Sequence, residues 1–296
     1  MKDAYRIVKT HALTPRQTLE AEQLAQVCRE RDGLAELPLF MEPAQTADES
    51  NQILCYEGEA LIGFISLFSL APADEIEAVG MTHPDHRRKG AGRALVEATK
   101  AECRLRGGDT FLLVCLGAFP VGAIFAETIG GTYRFSEYRM ELNPALFTPY
   151  TPQNEALLLQ SADVQDLDGL ASIQAAAFGS GEEEGRRTLA KWLEEPNQRF
   201  TLGLLNGEAA GMLRVSTFGT PPDARVAYIC SFGVLPAYQG RGYGRQILSK
   251  TAGALLAEGL ESIRIEVNVE NSNALSLYKS CGFEEISEYR YYEITA

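Results

Sequence analysis

Long apolar runs are missing from the sequence, and so are the cysteine and histidine patterns that mark metal sites. No stretch of the 296 residues approaches the ~20 apolar residues of a membrane-spanning helix, which excludes an integral helical membrane protein. The six cysteines form no C-x-x-C pair, and three histidines supply no zinc-ligand spacing. The first residues lack the apolar core of a secretory signal. We therefore expect reduced thiols, no bound metal and a cytoplasmic location.

Positive charge is also scarce. The chain has 27 Lys and Arg against 40 Asp and Glu, a formal net charge of −13 at pH 7. Nucleic-acid-binding domains carry basic surfaces, so this balance argues against a nucleic-acid partner, and nothing points to a membrane partner. With 45% hydrophobic and 23% charged residues, the composition is that of an ordinary folded protein.

An internal repeat organises the chain. Ser136–Arg139 recurs as Ser287–Arg290 at an offset of 151, and Arg87–Gly92 has a counterpart in Gln239–Gly244 at an offset of 152. Two landmarks in the same order indicate a duplicated domain. Prolines at 144, 149 and 152 interrupt regular structure between the copies. We therefore predict one domain at 1–145, a linker at 146–156 and a second domain at 157–296.

Each half has the pattern of a mixed α/β domain. Short apolar strands and amphipathic helices are followed by a hairpin, whose turn in the second half is Asn206-Gly207. Another strand, a glycine-rich loop, a helix, a strand and a short helix come next. This order predicts a mixed sheet, partly parallel, with flanking helices.

The glycine-rich loops are the first functional signal. Gly90 and Gly92 in the first half, like Gly242 and Gly244 in the second, stand between a strand and a helix N-terminus. Glycines there let backbone N–H groups approach a phosphate, which the helix start also attracts. The chain has no Walker A sequence, and the third glycine of the dinucleotide fingerprint is missing. We expect a phosphate ligand of another class.

Two segments together resemble a known family. Residues 234–244 match the pattern [QR]-x-x-G-x-[GA] of the coenzyme A pyrophosphate loop in the Gcn5-related N-acetyltransferases (GNAT), and residues 82–92 match it as well. Asn271 to Phe283 resembles the family segment N-x-x-A-x-x-L-Y-x-x-x-G-F. The resemblance implies two tandem GNAT-like domains, acetyl-CoA as cosubstrate, and direct acetyl transfer to an amine within a ternary complex.

The resemblance also implies roles for individual residues. Tyr278 matches the family tyrosine that donates a proton or a hydrogen bond to the departing sulfur. Glu266, in Ile265-Glu266-Val267, resembles a proposed base of ribosomal-protein alanine N-acetyltransferases. Ser231 and Tyr228, on the preceding strand, are weaker candidates, and ordered water is the alternative to a side-chain base. The implied cofactor-binding residues of the second half are Val234, Gln239, Gly240, Arg241, Gly242, Tyr243, Gly244, Arg245 and Asn271, where Asn271 has a helix N-cap as its alternative role. Those of the first half are Arg87, Arg88, Lys89, Gly90, Ala91 and Gly92.

The first half departs from the catalytic pattern. The counterpart of Tyr278 is Glu127 at an offset of 151 and Ala126 at 152, and neither replaces the phenol. We expect the second half to be catalytic and the first degenerate, either still binding a CoA-type ligand or only supporting the second. The acceptor is expected to be a small-molecule amine or a peptide. Two alternatives stand beside this: a non-catalytic CoA-binding sensor or scaffold, and a protein N-terminal acetyltransferase.

Overall fold

The two sequence repeats fold with a similar succession of strands and helices, and within the described residues the second repeat has one α-helix more than the first. The structure is a computed structural model that describes residues 5–34, 37, 41, 44, 49–69, 75–151, 157–179, 181–218 and 226–296. The chain divides into two compact units: Met1–Ser136 with Glu288–Ala296 (unit 1), and Glu137–Ser287 (unit 2).

The first repeat supplies these elements: β1 (Arg6–Thr10), α1 (Pro15–Asp32), β2 (Gln52–Glu57), β3 (Ala60–Phe68), β4 (Ile76–Thr82), α2 (Ala91–Leu105), β5 (Thr110–Leu116), α3 (Pro120–Thr128) and β6 (Thr132–Leu142). The second repeat supplies these: β7 (Leu158–Ala162), α4 (Leu167–Phe178), α5 (Glu182–Glu194), β8 (Gln198–Leu205), β9 (Glu208–Phe218), β10 (Val226–Val234), α6 (Tyr243–Ala257), β11 (Ser262–Asn268), α7 (Ser272–Ser280) and β12 (Phe283–Thr295).

Each unit is built on a mixed sheet. In unit 1 the strand order is β1-β2-β3-β4-β5, and in unit 2 it is β7-β8-β9-β10-β11. The pairs β4–β5 and β10–β11 are parallel, because a helix connects their strands, and the other pairs in these runs are antiparallel. With helices packed on these sheets, the predicted mixed α/β class is confirmed.

The last strand of each repeat is divided between the units, and its C-terminal part, from Glu137 in β6 and from Glu288 in β12, belongs to the other unit. In unit 2, residues 137–141 of β6 pair antiparallel with β11, from Glu137 opposite Asn268 to Glu141 opposite Arg264. In unit 1, residues 289–295 of β12 pair antiparallel with β5. The compact units are therefore bounded differently from the sequence repeats. The division at 1–145 and 157–296 stays a prediction, and 152–156 of the predicted linker lie outside the described residues.

Helices pack on both faces of the sheet of unit 2. On one face Ile229 and Ile265 pack with Ile247 of α6 and with α7. On the other face, α4 and α5 pack over β8 and β9. On β11 and β6, the side chains that alternate with the core residues on this second face are polar, among them Glu266 and Arg139.

Among the described residues, no helix is long and apolar enough to cross a membrane.

Candidate active site

The glycine-rich loop of unit 2 joins β10 to α6. A short turn of 3-10 helix at Pro236–Tyr238 follows the strand, and Gly240 and Gly242 adopt left-handed φ angles of +73° and +82°. The side-chain amide of Gln239 donates a hydrogen bond of 2.9 Å to the carbonyl of Val234. Gln239 thus closes the loop on itself, which fixes the direction in which α6 begins.

The start of α6 presents main-chain donors. Its N-cap residue is Gly242, which has no side chain to accept from the N–H groups of the first turn. Gly244 sits in a tight space, since a Cβ there would lie 3.3 Å from Leu277 and 3.6 Å from Val234. This cradle of N–H groups at a helix N-terminus fits a phosphate, and the exposed Arg241 and Arg245 flank it. Tyr243, by contrast, is buried in the core and serves packing.

An opening in the sheet lies next to this loop. The pairing of β10 with β9 shifts register between Cys230 and Gly233, and Ser231 there has a φ of +44°. The parallel pairing of β10 with β11 extends as far as Ile229 and Ile265. Such a bulge re-aims the strand. The end of β10 thereby leaves β11, and its backbone groups become available to a ligand.

Tyr278 of α7 lies beside that opening. It is 7% exposed, its ring stacks on Phe232 at a centroid distance of 6.2 Å, and Phe283 lies 6.3 Å away. Burial raises the pKa of Tyr278 above its usual value, so the phenol keeps its proton at neutral pH. Asn271 caps the same helix, because its side chain accepts from the N–H of Ala274 at 3.1 Å. The capping role weighed for Asn271 is therefore present.

Glu266 of β11 projects from the opposite, polar face of the sheet. Its side chain is 37% exposed, and its Oε1 accepts hydrogen bonds from Arg139 Nε at 2.9 Å and Arg139 Nη2 at 2.8 Å. Arg139 lies directly opposite in the strand pairing and its own side chain is only 8% exposed. Arg139 lies in the repeated tetrapeptide, but no motif in the sequence assigns it to this site.

Two further arginines crowd this face. The Tyr228 ring lies between Arg139 and Arg264, whose guanidinium carbons are 5.4 and 5.9 Å from its centroid. Arg214 of β9 is buried, donates 2.6 Å to Gln198 Oε1 and 3.4 Å to Ser231 Oγ, and stacks on a tryptophan. Burial lowers the pKa of Arg214. Ser231 and Tyr228, the weaker candidates for the base, thus both contact arginine side chains.

Thiol chemistry has little support in this region. Burial raises the pKa of Cys230 and of Cys281, so neither carries a ready thiolate at neutral pH. All six cysteines are free. Within the described part of the chain, no group of three or more His, Cys, Asp or Glu could hold a metal ion.

Unit 1 keeps the loop but employs its side chains differently. Arg88 has a φ of +62° and Gly90, the N-cap of α2, one of +102°. Arg87 Nε donates 3.0 Å to the carbonyl of Thr82, as Gln239 does to Val234. Its other nitrogens donate to both carboxylate oxygens of Asp32 at 2.7 and 2.6 Å. Arg87 is therefore committed to Asp32, and the main chain of the loop is what could face a phosphate.

The counterparts of Tyr278 and Glu266 in unit 1 are apolar. Helices α3 and α7 correspond at an offset of 152, which places the buried Ala126 at the position of Tyr278. The same offset relates β5 to β11 and sets Val114 against Glu266, so Glu127 is not the counterpart of Tyr278. The pairing of β4 with β3 also runs without a register shift, and unit 1 lacks the counterpart of the bulge at Ser231.

Comparison with known proteins identifies relatives of the whole chain. The model of the acetyltransferase (GNAT) family matches residues 18–118 and 167–283. A protein named mycothiol acetyltransferase from Salinispora arenicola is 27% identical over 98% of this chain and 97% of its own. Another of that name, from Clavibacter michiganensis subsp. michiganensis, is 30% identical over 71% of this chain and 69% of its own.

Solved structures share the fold. A GCN5-related N-acetyltransferase from Sphaerobacter thermophilus superposes with a TM-score of 0.75 at 17% identity, covering 100% of this chain and 96% of its own. A tandem GNAT protein from the clavulanic acid biosynthesis pathway gives 0.72 at 16% identity, with 98% of each chain covered. At these identities the likeness concerns the fold.

Proposed function

Because the chain belongs to the acetyltransferase (GNAT) family and is an acetyltransferase, we propose that unit 2 transfers an acetyl group from acetyl-CoA to an amine. The observation that carries this proposal is the placement of Tyr278 beside the opening between β10 and β11, next to the main-chain cradle at Gly242. Unit 1 has the cradle with Ala126 in place of the tyrosine, so it is the non-catalytic member of the pair.

Glu266 and Tyr278 have separate roles in the proposed reaction. Acetyl-CoA, when bound, supplies the acetyl group as a thioester, with its pyrophosphate at the N–H groups of residues 240–245. The carboxylate of Glu266 takes one proton from the acceptor ammonium, and the freed nitrogen bonds to the thioester carbonyl carbon. As the carbon–sulfur bond breaks, the Tyr278 hydroxyl gives its proton to the leaving sulfur.

Proton balance follows from these steps. The second proton lost by the nitrogen returns to Tyr278 through solvent, and Glu266 releases its proton to solvent. The products are the N-acetylated acceptor, the CoA thiol and one proton. The raised pKa of Tyr278 makes it a weak acid, so it acts by donating a hydrogen bond that becomes a proton transfer as charge develops on the sulfur.

The acceptor that we propose is a small-molecule amine. Several relatives are named mycothiol acetyltransferase, which supports a small molecule rather than a peptide. A net charge of −13 is compatible with an acceptor that carries an ammonium group.

A thiol-release assay tests the proposal. Purified protein is incubated with acetyl-CoA and, in turn, glucosamine, neamine, spermidine and short peptides with a free N-terminal amine. Release of CoA thiol with an amine sugar or polyamine supports the proposal, and release with peptides alone supports a protein N-terminal acetyltransferase. Binding of acetyl-CoA with no release for any acceptor would leave a sensor or scaffold as the function.

Unit 1 is proposed to bind a CoA-type ligand through its own loop. The support is the preserved backbone, since Arg88 and Gly90 hold the same left-handed conformations as Gly240 and Gly242. Calorimetry with CoA should give two sites for the native chain and one for a Gly90→Val variant. One site in the native chain would assign unit 1 a purely supporting role.

A further inference from the structure

The repeated tetrapeptide Ser-Glu-Tyr-Arg has different contacts in the two units. In unit 1, Arg290 lies opposite Cys115, and its Nε donates 2.8 Å to Glu288 two residues away on its own strand. In unit 2, Arg139 lies opposite Glu266 and donates two hydrogen bonds to it, at 2.9 and 2.8 Å. The arginine of the exchanged strand therefore reaches across to β11 in the unit whose strand offers a carboxylate.

We propose that Arg139 is a positioning residue that holds the Glu266 carboxylate in place for the acceptor amine, a role that rests on the proposed function. A glutamate that is 37% exposed on a strand can adopt several rotamers, and ordering it costs entropy. Two charge-assisted hydrogen bonds from one guanidinium reduce that freedom and orient the carboxylate. The acceptor then meets a carboxylate that is already placed.

Arg139 is itself held firmly enough to act in this way. Its side chain is 8% exposed, and the ring of Tyr228 lies 5.4 Å from its guanidinium carbon. The neighbouring Arg264 is engaged by Glu141, whose Oε2 accepts from its Nε at 2.8 Å. Each of these two arginines on the polar face thus forms an ion pair with a different carboxylate: Arg264 with Glu141 and Arg139 with Glu266.

The exchange of strands gives this contact its significance. Arg139 belongs to the first repeat in sequence, yet it lies within unit 2. The first repeat therefore contributes a side chain to the acceptor side of the proposed catalytic domain. A residue of the first repeat can therefore take part in the proposed site even though unit 1 itself catalyses no reaction.

Arg139→Met tests the role, with Arg290→Met as the matched control. Both variants remove the arginine of the same tetrapeptide. We expect Arg139→Met to lower kcat/KM for the best acceptor of the panel by roughly 10- to 100-fold. The KM for acetyl-CoA should stay within about twofold, and Arg290→Met should keep native turnover. Arg139→Lys should recover part of the loss, since a lysine still supplies one charged donor.

A double-mutant cycle separates positioning from a structural effect. If Arg139 acts through Glu266, the variant Arg139→Met/Glu266→Gln should lose no more activity than Glu266→Gln alone. Additive losses in the double variant, or equal losses in the Arg139 and Arg290 variants, would overturn the inference about Arg139. The proposed function would still stand in that case, provided that the native protein acetylates an amine. If the native protein acetylates no amine, the proposed function and this role are both wrong. Should Arg139→Met fail to fold, Arg139→Lys compared with Arg290→Lys decides the question.

Discussion

The two units are copies of one fold in which the backbone has changed less than the chemistry. Each has a parallel strand pair, a glycine-rich loop and a helix that begins at a left-handed glycine. Unit 2 adds a bulge at Ser231 and a buried Tyr278, whereas unit 1 has a regular β4 and Ala126. Phosphate binding by main-chain N–H groups tolerates sequence change, but a phenol or carboxylate disappears with one substitution.

The loops differ in how their first residue is held. Gln239 uses its amide for one bond to Val234, while Arg87 makes the equivalent bond and a two-pronged ion pair with Asp32 as well. The side chain of Asp32 is 7% exposed, so this ion pair is largely shielded from water. The loop of unit 1 is thus also held to α1 by an ion pair, as expected if unit 1 is the non-catalytic member of the pair, as we propose.

The largest difference should come from placing valine at the two N-cap glycines. Gly242→Val forces a β-branched residue into a φ of +82° at the proposed phosphate cradle, and we expect kcat/KM for acetyl-CoA to fall about 100-fold or more. Gly90→Val makes the same change at a φ of +102° in unit 1 and should leave turnover near native. Steady-state kinetics of both variants measures this. Equal losses would mean that unit 1 takes part in catalysis.

Removing one oxygen from Tyr278 should have the next largest effect. Tyr278→Phe keeps the ring against Phe232 but deletes the proton donor, so kcat should fall about tenfold or more. The KM for acetyl-CoA should change little, because the phosphate contacts are untouched. Tyr292→Phe, at a buried tyrosine of unit 1, is the control and should retain full kcat. A fully active Tyr278→Phe enzyme would assign the leaving-group proton to solvent.

A smaller effect is expected when Ser231, at the bulge of unit 2, is replaced by the corresponding residue of unit 1. Ser231 corresponds to Val79 in the regular strand β4, and valine is poorly suited to a φ of +44°. Ser231→Val should cost about 1–3 kcal/mol of unfolding free energy and raise the KM for acetyl-CoA several-fold. Ser231→Gly, which accepts that φ, should restore both values. Chemical denaturation and kinetics report them, and an unaffected Ser231→Val protein would show that the bulge is not needed.

The smallest effect concerns pH and should be similar in both units. Burial raises the pKa of Tyr278 in unit 2, and burial with the Glu20 contact raises that of Tyr56 in unit 1 to about 12. The pKa of each tyrosine is higher in the folded state than the unfolded value of about 10. The contribution of each tyrosine to the free energy of unfolding is therefore fully present below about pH 10 and is lost as the pH rises through its folded pKa. Urea unfolding at pH 8 and pH 10.5 measures the decline. Tyr278→Phe and Tyr56→Phe should each reduce it, and an unchanged slope in either would mean that its tyrosine ionises normally.

Local features of the sequence allowed much of this to be predicted. The glycine spacing identified both loops, and the segment from Asn271 to Phe283 identified α7 and its tyrosine. The residue of unit 1 that corresponds to Tyr278 could not be chosen from the sequence. The segment between the short helix and the last strand is one residue shorter in the second repeat than in the first, so the two landmarks give different offsets. The helices follow an offset of 152, while the tetrapeptide follows 151.

Long-range features were beyond local reasoning. The repeated tetrapeptide was visible, but its partner depends on which sheet the strand joins, and the exchange of β6 and β12 leaves no local mark. The bulge at Ser231 is a backbone irregularity that no residue type requires. For both reasons, the contact between Arg139 and Glu266 became apparent only in three dimensions.

Strand exchange also sets an order of events during synthesis. Residues 288–296 complete the sheet of unit 1, yet they follow all of unit 2 along the chain. As the chain leaves the ribosome from its N-terminus, β5 stays an uncovered edge until the final strand emerges. Unit 2 receives its borrowed strand early, whereas unit 1 waits until residues 288–296 have been synthesised. The half that comes first in the sequence is therefore the last to be finished.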